Sequence, residues 1–378
     1  MRFFKLPVLV LITLLIISCN KTEKHIAKKE NEATSVKYAT GFDIKHHDGY
    51  SSVTIKTPYQ NAQEYYTYYL VKKNFDTSKL PSDSKKISIP ISSIVVNSTT
   101  HIPMLELLEV ENLLVGFPNT KYISSERTRN LIENNKVREL GNDGNFNTEV
   151  LLDLNPDAVV AFAMSAGNKS LLSIERANIP VIYNGDWLEA SPLGRAEWIK
   201  LFGALFDQND KANEIFNQIE IDYNQAKEIA KNSKNSPSIL SGVMFKDVWN
   251  LPAGESFVAQ FLKDANTNYL WKDTKGKGSL QLSFESVLDK GQNADIWIAP
   301  GHYENINQLN NASVHYKEFK AFSENELYTF ANKKGTTGGV IYYELAPTRP
   351  DLVLKDIIKI THPDMLPNYT MSFFEKMK

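Results

Sequence analysis

The sequence predicts an α/β protein of two Rossmann-like lobes joined by a long rigid helix, with a small β extension ahead of the first lobe. Three observations predict it: short apolar runs alternate with amphipathic stretches in two separate series, one uninterrupted amphipathic stretch lies between the series, and a short unit of sequence occurs once in each. At 378 residues the chain exceeds what one compact core usually absorbs, so two lobes are the expected organisation. With 42% hydrophobic and 23% charged residues it has the makeup of a globular chain rather than a disordered one.

Residues 1–18 read as a signal peptide. Arg2 and Lys5 supply the charge, Leu6 to Ile17 form an apolar run of about a dozen residues, too short for a comfortable membrane span, and Ser18 is small. Cys19 follows at once and is the only cysteine, so it has no partner for an internal disulfide. Leu15-Ile16-Ile17-Ser18-Cys19 resembles the bacterial lipobox, which makes Cys19 the expected lipidated first residue of an exported, membrane-anchored chain. Removing Arg2 and Lys5 from 42 basic residues leaves 40 against 44 acidic ones, a mature net charge of -4, and no basic face for nucleic acid.

Residues 19–37 are rich in Lys, Glu, Asn and Thr and predict a flexible tether. Residues 38–86 form the β extension, where Ser52 to Ile55 and Tyr65 to Leu70 predict a short antiparallel pair. The first lobe, residues 87–206, carries strand-like runs at Ser93 to Asn97, Leu113 to Gly116, Ala158 to Phe162 and Val181 to Tyr183. Residues 207–233 are the connecting helix: Ala212, Ile215, Phe216, Ile219, Tyr223, Ala226 and Ile229 fall three or four apart, with Asp207 or Asn209 as the expected cap. About 25 residues at 1.5 Å each make a rod of roughly 37 Å. In the second lobe, residues 234–378, the runs recur at Ile239 to Phe245, Asp295 to Ala299 and Val340 to Tyr343, ahead of an amphipathic helix over Pro350 to Ile360.

The repeated unit is Glu149-Val150-Leu151-Leu152-Asp153 before Pro156-Asp157-Ala158-Val159-Val160-Ala161, and Glu285-Ser286-Val287-Leu288-Asp289 before Ala294-Asp295-Ile296-Trp297-Ile298-Ala299. Each copy predicts a short helix opened by a polar cap, Asn147 or Ser283, feeding a buried strand. Glu149 and Glu285 suit the positive end of their helices, which by itself accounts for a carboxylate there.

Ligands of open parallel sheets lie beyond the carboxyl ends of the strands. That places Ser98, Thr99, Thr100 and His101, then Met164 and Ser165, then Trp187 on one rim, with Asn145 ahead of the first repeat copy counted among them. On the facing rim it places Phe245 to Trp249, His302, Tyr303, Tyr342 and Tyr343. Aromatic residues there offer platforms for a flat or aromatic ligand.

Further segments bear on identity: Ser93 to Gly116, Asn155-Pro156-Asp157-Ala158-Val159-Val160, Asp264-Ala265-Asn266, Leu282-Ser283-Phe284-Glu285, Arg349-Pro350-Asp351 and His362-Pro363. In order and spacing, over about residues 89–367, they resemble the iron-siderophore and cobalamin class of ABC-transporter substrate-binding proteins, which often has Asp-Ala-Gly where this chain has Asp264-Ala265-Asn266. The resemblance implies the class III periplasmic binding protein fold, no enzymatic activity and no cofactor. It also implies a monomer that delivers a small iron complex to a permease dimer whose arginines pair with Glu149 and Glu285. A ferric siderophore is the expected ligand, with cobalamin or haem as the alternative. The extension at 38–86 and the lack of an obvious ligand set depart from the better-known cobalamin binders. A rigid connector implies a largely preformed pocket and small closure.

Other chemistries fit less well. Gly254-Glu255-Ser256-Phe257-Val258 lacks the second glycine of a nucleophile elbow. Gly276-Lys277-Gly278-Ser279 lacks the upstream glycine of a phosphate loop and reads as a turn. A bare zinc or manganese ion wants three or four converging ligands, whereas only His101 and His302 are expected near the cleft and His46-His47 lies in the extension.

Overall fold

The computed structural model describes residues 35–142 and 145–378. The leader, Cys19 and most of the expected tether lie outside the described residues. Folded structure already includes Val36, which is buried. The N–H groups of Lys37, Tyr38 and Ala39 donate to the buried Glu197 carboxylate, and those of Thr40 and Gly41 to Glu189. Two carboxylates of the first lobe thus clamp the chain where it enters the fold, which moves the tether's end ahead of residue 37.

The extension is a four-stranded sheet: β1 (Phe42–His47), β2 (Tyr50–Ile55), β3 (Tyr66–Lys72) and β4 (Lys85–Ile89), in that order. β2 and β3 pair antiparallel as expected, and β4 joins β3 in parallel. β1 and β4 were not expected; β1 ends in Lys45-His46-His47, and β4 offers only Ile87 and Ile89 as buried positions, so each presents half a pattern. The boundary expected at 86/87 runs through β4. Phe42 packs on Trp198 with ring centroids 4.3 Å apart, fixing the sheet to the first lobe.

The first lobe contains β5 (Ile94–Val96), α1 (Ile102–Leu107), β6 (Leu114–Phe117), α2 (Glu126–Glu133), β7 (Arg138–Glu139), the two-residue hairpin strands β8 (Gly141–Asn142) and β9 (Asn145–Phe146), α3 (Thr148–Leu154), β10 (Ala158–Ala161), α4 (Lys169–Arg176), β11 (Val181–Tyr183), α5 (Pro192–Glu197) and α6 (Ile199–Leu205). Its sheet runs β11-β10-β5-β6-β7, all parallel. β5, β10 and β11 are fully buried, as strands of a parallel sheet covered on both faces require, while the two residues of the edge strand β7 are exposed.

The connector is α7 (Asn209–Lys231), 23 residues and about 34 Å at 1.5 Å per residue. Neither expected cap serves: Asp207 is left-handed at φ 53°, Gln208 holds the cap position without a side-chain bond, and Asn209 is already helical. The cause is the close turn out of α6, where a side chain on Gly203 would meet Ala212 at 2.4 Å and the Gln208 N–H donates to Gly203 O at 2.7 Å.

The second lobe comprises β12 (Ser238–Ser241), β13 (Val243–Phe245), β14 (Val248–Pro252), α8 (Phe257–Asp264), β15 (Asn268–Tyr269), β16 (Ser279–Leu282), α9 (Phe284–Gly291), β17 (Ile296–Ile298), α10 (Ile306–Ala312), α11 (Lys320–Ser323), β18 (Leu327–Thr329), α12 (Ile341–Leu345), α13 (Pro350–Thr361) and β19 (Glu375–Lys376). Its main sheet runs β15-β12-β17-β18-β19, parallel except for β19, while β13, β14 and β16 form a separate antiparallel sheet. The run Val340 to Tyr343 is not a strand. Its residues open α12, and the strand expected there is β18, shorter and less apolar.

The lobes share one topology, since β11-β10-β5-β6 corresponds to β18-β17-β12-β15. The repeated unit occupies equivalent places, α3 feeding β10 and α9 feeding β17, with Asn147 accepting from Val150 N–H and Ser283 from Ser286 N–H as predicted. The correspondence reaches further. Asp157 accepts from the Ser92 and Ser93 N–H groups just before β5, and Asp295 from the Ser238 N–H opening β12. Hydrogen bonds hold both carboxyls below their ordinary pKa, Asp295 at about 2 with Lys320 as the leading cause.

Candidate cleft between the lobes

Residues of both lobes meet around a cavity of about 210 Å³ lined by Thr100, Arg195, Phe257, Phe261, Tyr342 and Tyr343 among others. Thr100 follows β5, Arg195 lies on α5, the phenylalanines on α8 and the tyrosines on α12. Short turns and caps place them. Ser98 caps the turn after β5, Ser191 accepts from Gly194 N–H at the start of α5, and Ser256 from Ala259 N–H at the start of α8. The last of these gives Ser256 a structural task where a nucleophile had been considered. Gly276 N–H donates to Glu255, in keeping with a turn there.

Arg195 organises the floor. Its guanidinium donates to the carbonyls of Glu189 at 3.1 Å and Trp187 at 2.7 Å, and lies 3.6 Å over the Phe257 ring of the other lobe. Asp186, buried, accepts from Thr100 Oγ1 at 2.9 Å. Burial pushes the Asp186 carboxyl above its ordinary pKa, against the opposing pull of Arg195 and Thr100. The result is one cation among aromatic faces, a setting that suits an anionic or aromatic group.

Of the expected residues, Thr100, Tyr342 and Tyr343 line this cavity. Ser98, Thr99 and Thr100 are half-buried; Met164 and Ser165 are exposed after β10; Trp187 is half-buried with its ring edge-on to Phe162 at 5.5 Å. The indole N–H of Trp187 is buried without a partner. His302 is exposed, with Nδ1 3.5 Å from the Tyr343 hydroxyl, and Tyr303 beside it is half-buried. Tyr343 therefore touches His302 on the rim and shares the cavity with Thr100 and Arg195, joining the two sets of strand ends. Asn145 lies in β9, paired with β8.

Two expected residues are placed elsewhere. His101 is fully buried against Phe202, neither ring nitrogen has a partner, and burial lowers its pKa to about 3, so it is a neutral packing residue. Trp249 is also fully buried, stacked on Trp297 at 5.3 Å amid Tyr316 and Phe319, its indole donating to Ser241 O. The hairpin β13–β14 turns its ring inward and leaves Phe245 at the tip, 70% exposed. Arg195, Asp186 and Phe257 were not singled out from sequence. Their signal in the sequence is weak, since Arg195 is one of three charged residues, with Glu197 and Lys200, in the largely apolar run before α7.

Glu149 and Glu285 are exposed in the first turns of α3 and α9. Its own backbone N–H and the Ser283 hydroxyl hold Glu285 below the ordinary carboxylate range. A larger cavity of about 1110 Å³ lies away from the strand ends, between α5, α7 and α8. Among the described residues no group of three or more His, Cys, Asp and Glu side chains is placed to hold a metal ion, and no helix is long and apolar enough to cross a membrane.

Two α/β lobes of one topology, a single connecting helix and a gap bounded by strand ends define a two-lobed solute-binding protein of the class III type. The family model described as periplasmic binding protein matches residues 94–332, more than half of the chain, and the chain belongs to that family. Among curated proteins it is similar to an uncharacterized lipoprotein of Methanocaldococcus jannaschii, 23% identical, covering 94% of this chain and 89% of that protein. Among solved structures it is similar to a possible iron-binding periplasmic solute-binding protein of Staphylococcus epidermidis, with a TM-score of 0.57, 17% identity and coverage of 72% of this chain and 99% of that one. It is also similar to the periplasmic heme-binding protein HutB of Vibrio cholerae, with a TM-score of 0.55, 14% identity and coverage of 70% and 99%.

Proposed function

We propose that this protein captures one ferric siderophore in the gap between its lobes and hands it to an ABC-transporter permease dimer, held at the membrane by lipid on Cys19. The observation that carries the reading is the junction at Tyr343, where residues of both lobes line one cavity holding the Arg195 cation and a set of aromatic faces. The description of the similar Staphylococcus epidermidis protein as a possible iron-binding protein supports the ligand class. Haem is the second reading, favoured by the flat faces of Trp187 and Tyr343 and by the haem-binding similar protein of Vibrio cholerae.

Glu149 and Glu285 are the docking residues in this reading. They occupy matching places on lobes of like topology, which a two-fold permease can read, and exposed ion pairs set orientation and on-rate more than affinity. No turnover of the ligand is expected.

The test is the visible spectrum of the mature lipoprotein purified from an iron-starved culture. A ferric siderophore charge-transfer band supports the assignment. A haem Soret band, a corrinoid spectrum or a colourless protein under those conditions overturns it.

A further inference from the structure

Besides α7 and the Arg195–Phe257 contact, the lobes are fastened to one another at a further place. From the end of β18 the chain forms a hairpin closed by the pairing of Lys334 with Val340, with the Gly335 N–H donating to Gly339 O at 2.8 Å. This hairpin belongs to the second lobe but rests on residues 121–125 of the first. Thr337 Oγ1 donates to Lys121 O at 2.7 Å. A side chain on Gly335 would meet Ser124 Cα at 2.6 Å, and one on Gly339 would meet Tyr122 O at 2.3 Å, so glycine is required for the approach. Beyond the hairpin, the Glu344 carboxylate of α12 accepts from the Ser124 N–H at 2.6 Å and the Ser125 N–H at 2.9 Å. Ser125 caps α2, so Glu344 occupies the positive end of that helix, and it is only 4% exposed.

The residue before Glu344 is Tyr343, which lines the cleft. We propose that Glu344 is a positioning residue: by binding Ser124 and Ser125 of the opposite lobe it clasps the lobes together, sets the width of the gap and holds Tyr343 over Thr100 and Arg195. Its importance for ligand capture rests on the reading of the cleft given above; the clasp itself does not.

The clasp has a pH dependence of defined sign. Burial raises the Glu344 carboxyl to about 7, opposed by the two N–H groups and assisted by the negative charge of Glu106. Glu106 on α1 is itself held by the hydroxyls of Ser125 and Thr128. Of the other charged groups nearby, Arg127 pairs with Glu111, Arg129 donates to Thr120 O, Lys333 donates to Met371 O, Lys334 pairs with Glu304, Lys121 lies over the Tyr122 ring, and Glu126 is exposed in the first turn of α2. His101, on the side of α1, is neutral. A carboxyl whose pKa is higher clasped than released binds extra protons when clasped. The clasp is therefore tightest at low pH and weakens as pH rises through about 7. Taking 4.5 for the released group and 7 for the clasped one, opening is roughly tenfold more favourable at pH 8 than at pH 6.

Hydrogen exchange of the ligand-free mature lipoprotein, corrected for the intrinsic rate at each pH, reads this directly in the peptides covering residues 120–126 and 341–347. In the wild type, protection is expected to fall about tenfold between pH 6 and pH 8. Glu344→Gln should flatten the dependence, and Glu344→Ala should lose protection at both pH values and enlarge the radius of gyration, while peptides of α4 stay unchanged. Equal protection of residues 120–126 in wild type and Glu344→Ala, or a pH dependence that survives in Glu344→Gln, overturns the proposal. If Glu344→Ala does not fold, the near-isosteric Glu344→Gln still decides through its pH profile. Neither readout uses a ligand, so failure of the clasp is distinguishable from failure of the ligand assignment.

Discussion

Replacing Arg195 with methionine removes the cation from the cleft floor, and the structure sets the size of the effect. Two carbonyls, Glu189 O and Trp187 O, lose charge-assisted donors, and Asp186 keeps only Thr100 and a backbone N–H as partners in a buried setting. Arg195 offsets the buried Asp186 charge without a direct ion pair, so its removal should cost less than breaking a buried pair, on the order of 1–3 kcal/mol, most of it from the two carbonyls left without donors. Asp186→Asn should cost less by itself, since the amide oxygen still accepts from Thr100. In the double variant no buried charge remains unpaired, so its loss should fall short of the sum of the single losses by more than about 0.5 kcal/mol. Urea unfolding of the four proteins of this cycle supplies the comparison. The pH dependence adds a second check. The folded Asp186 carboxyl stands above its unfolded pKa, and losing Arg195, which pulls it down, raises it further. The penalty in Arg195→Met should therefore be largest at neutral pH and shrink as acid protonates Asp186. Losses that add within about 0.5 kcal/mol and a penalty independent of pH would refute the pairing argument.

Reversing both proposed docking carboxylates, Glu149→Lys with Glu285→Lys, should abolish uptake in cells while leaving affinity for a ferric siderophore in solution within about twofold, because each lies on an exposed first helical turn and lines neither cavity described above. Normal transport by that variant removes the docking assignment. Trp249→Ala should destabilise the protein by about 3–5 kcal/mol in urea unfolding, given its full burial against Trp297, Tyr316 and Phe319. The half-buried Trp187→Ala should cost less, and a larger loss at Trp187 than at Trp249 would contradict their placement. Cys19→Ser should move the protein from the membrane fraction to the soluble extracytoplasmic fraction, which immunoblotting of fractionated cells would show.

Much of the fold was legible in the sequence because the signals were periodic and local. The spacing of Ala212, Phe216, Ile219, Tyr223 and Ala226 marks α7, and each of them is buried. The repeated unit foretold two lobes of one topology, and its caps at Asn147 and Ser283 formed as their chemistry required. Illegible features depended on partners distant in the chain. Val340 to Tyr343 has the apolar run of a strand, yet its place is set by Gly335, Gly339 and Glu344 docking on residues 122–125, which makes it helical. Trp249 follows a strand end, where a platform was expected, but its hairpin turns the ring into the core. His101 is likewise drawn inward, against Phe202. Arg195 carries no motif at all, and its role comes from carbonyls at 187 and 189 and a ring at 257 that only the folded chain brings together.

The central claim is that one iron complex occupies the gap between the lobes. The most direct measurement is an anomalous difference map at the iron edge from crystals of the protein loaded with a ferric siderophore. The account predicts a single iron peak between the rim of Thr100 and Arg195 and that of His302 and Tyr343. A peak in the larger cavity between α5, α7 and α8, a peak on the extension, or no iron at all in loaded crystals would contradict it.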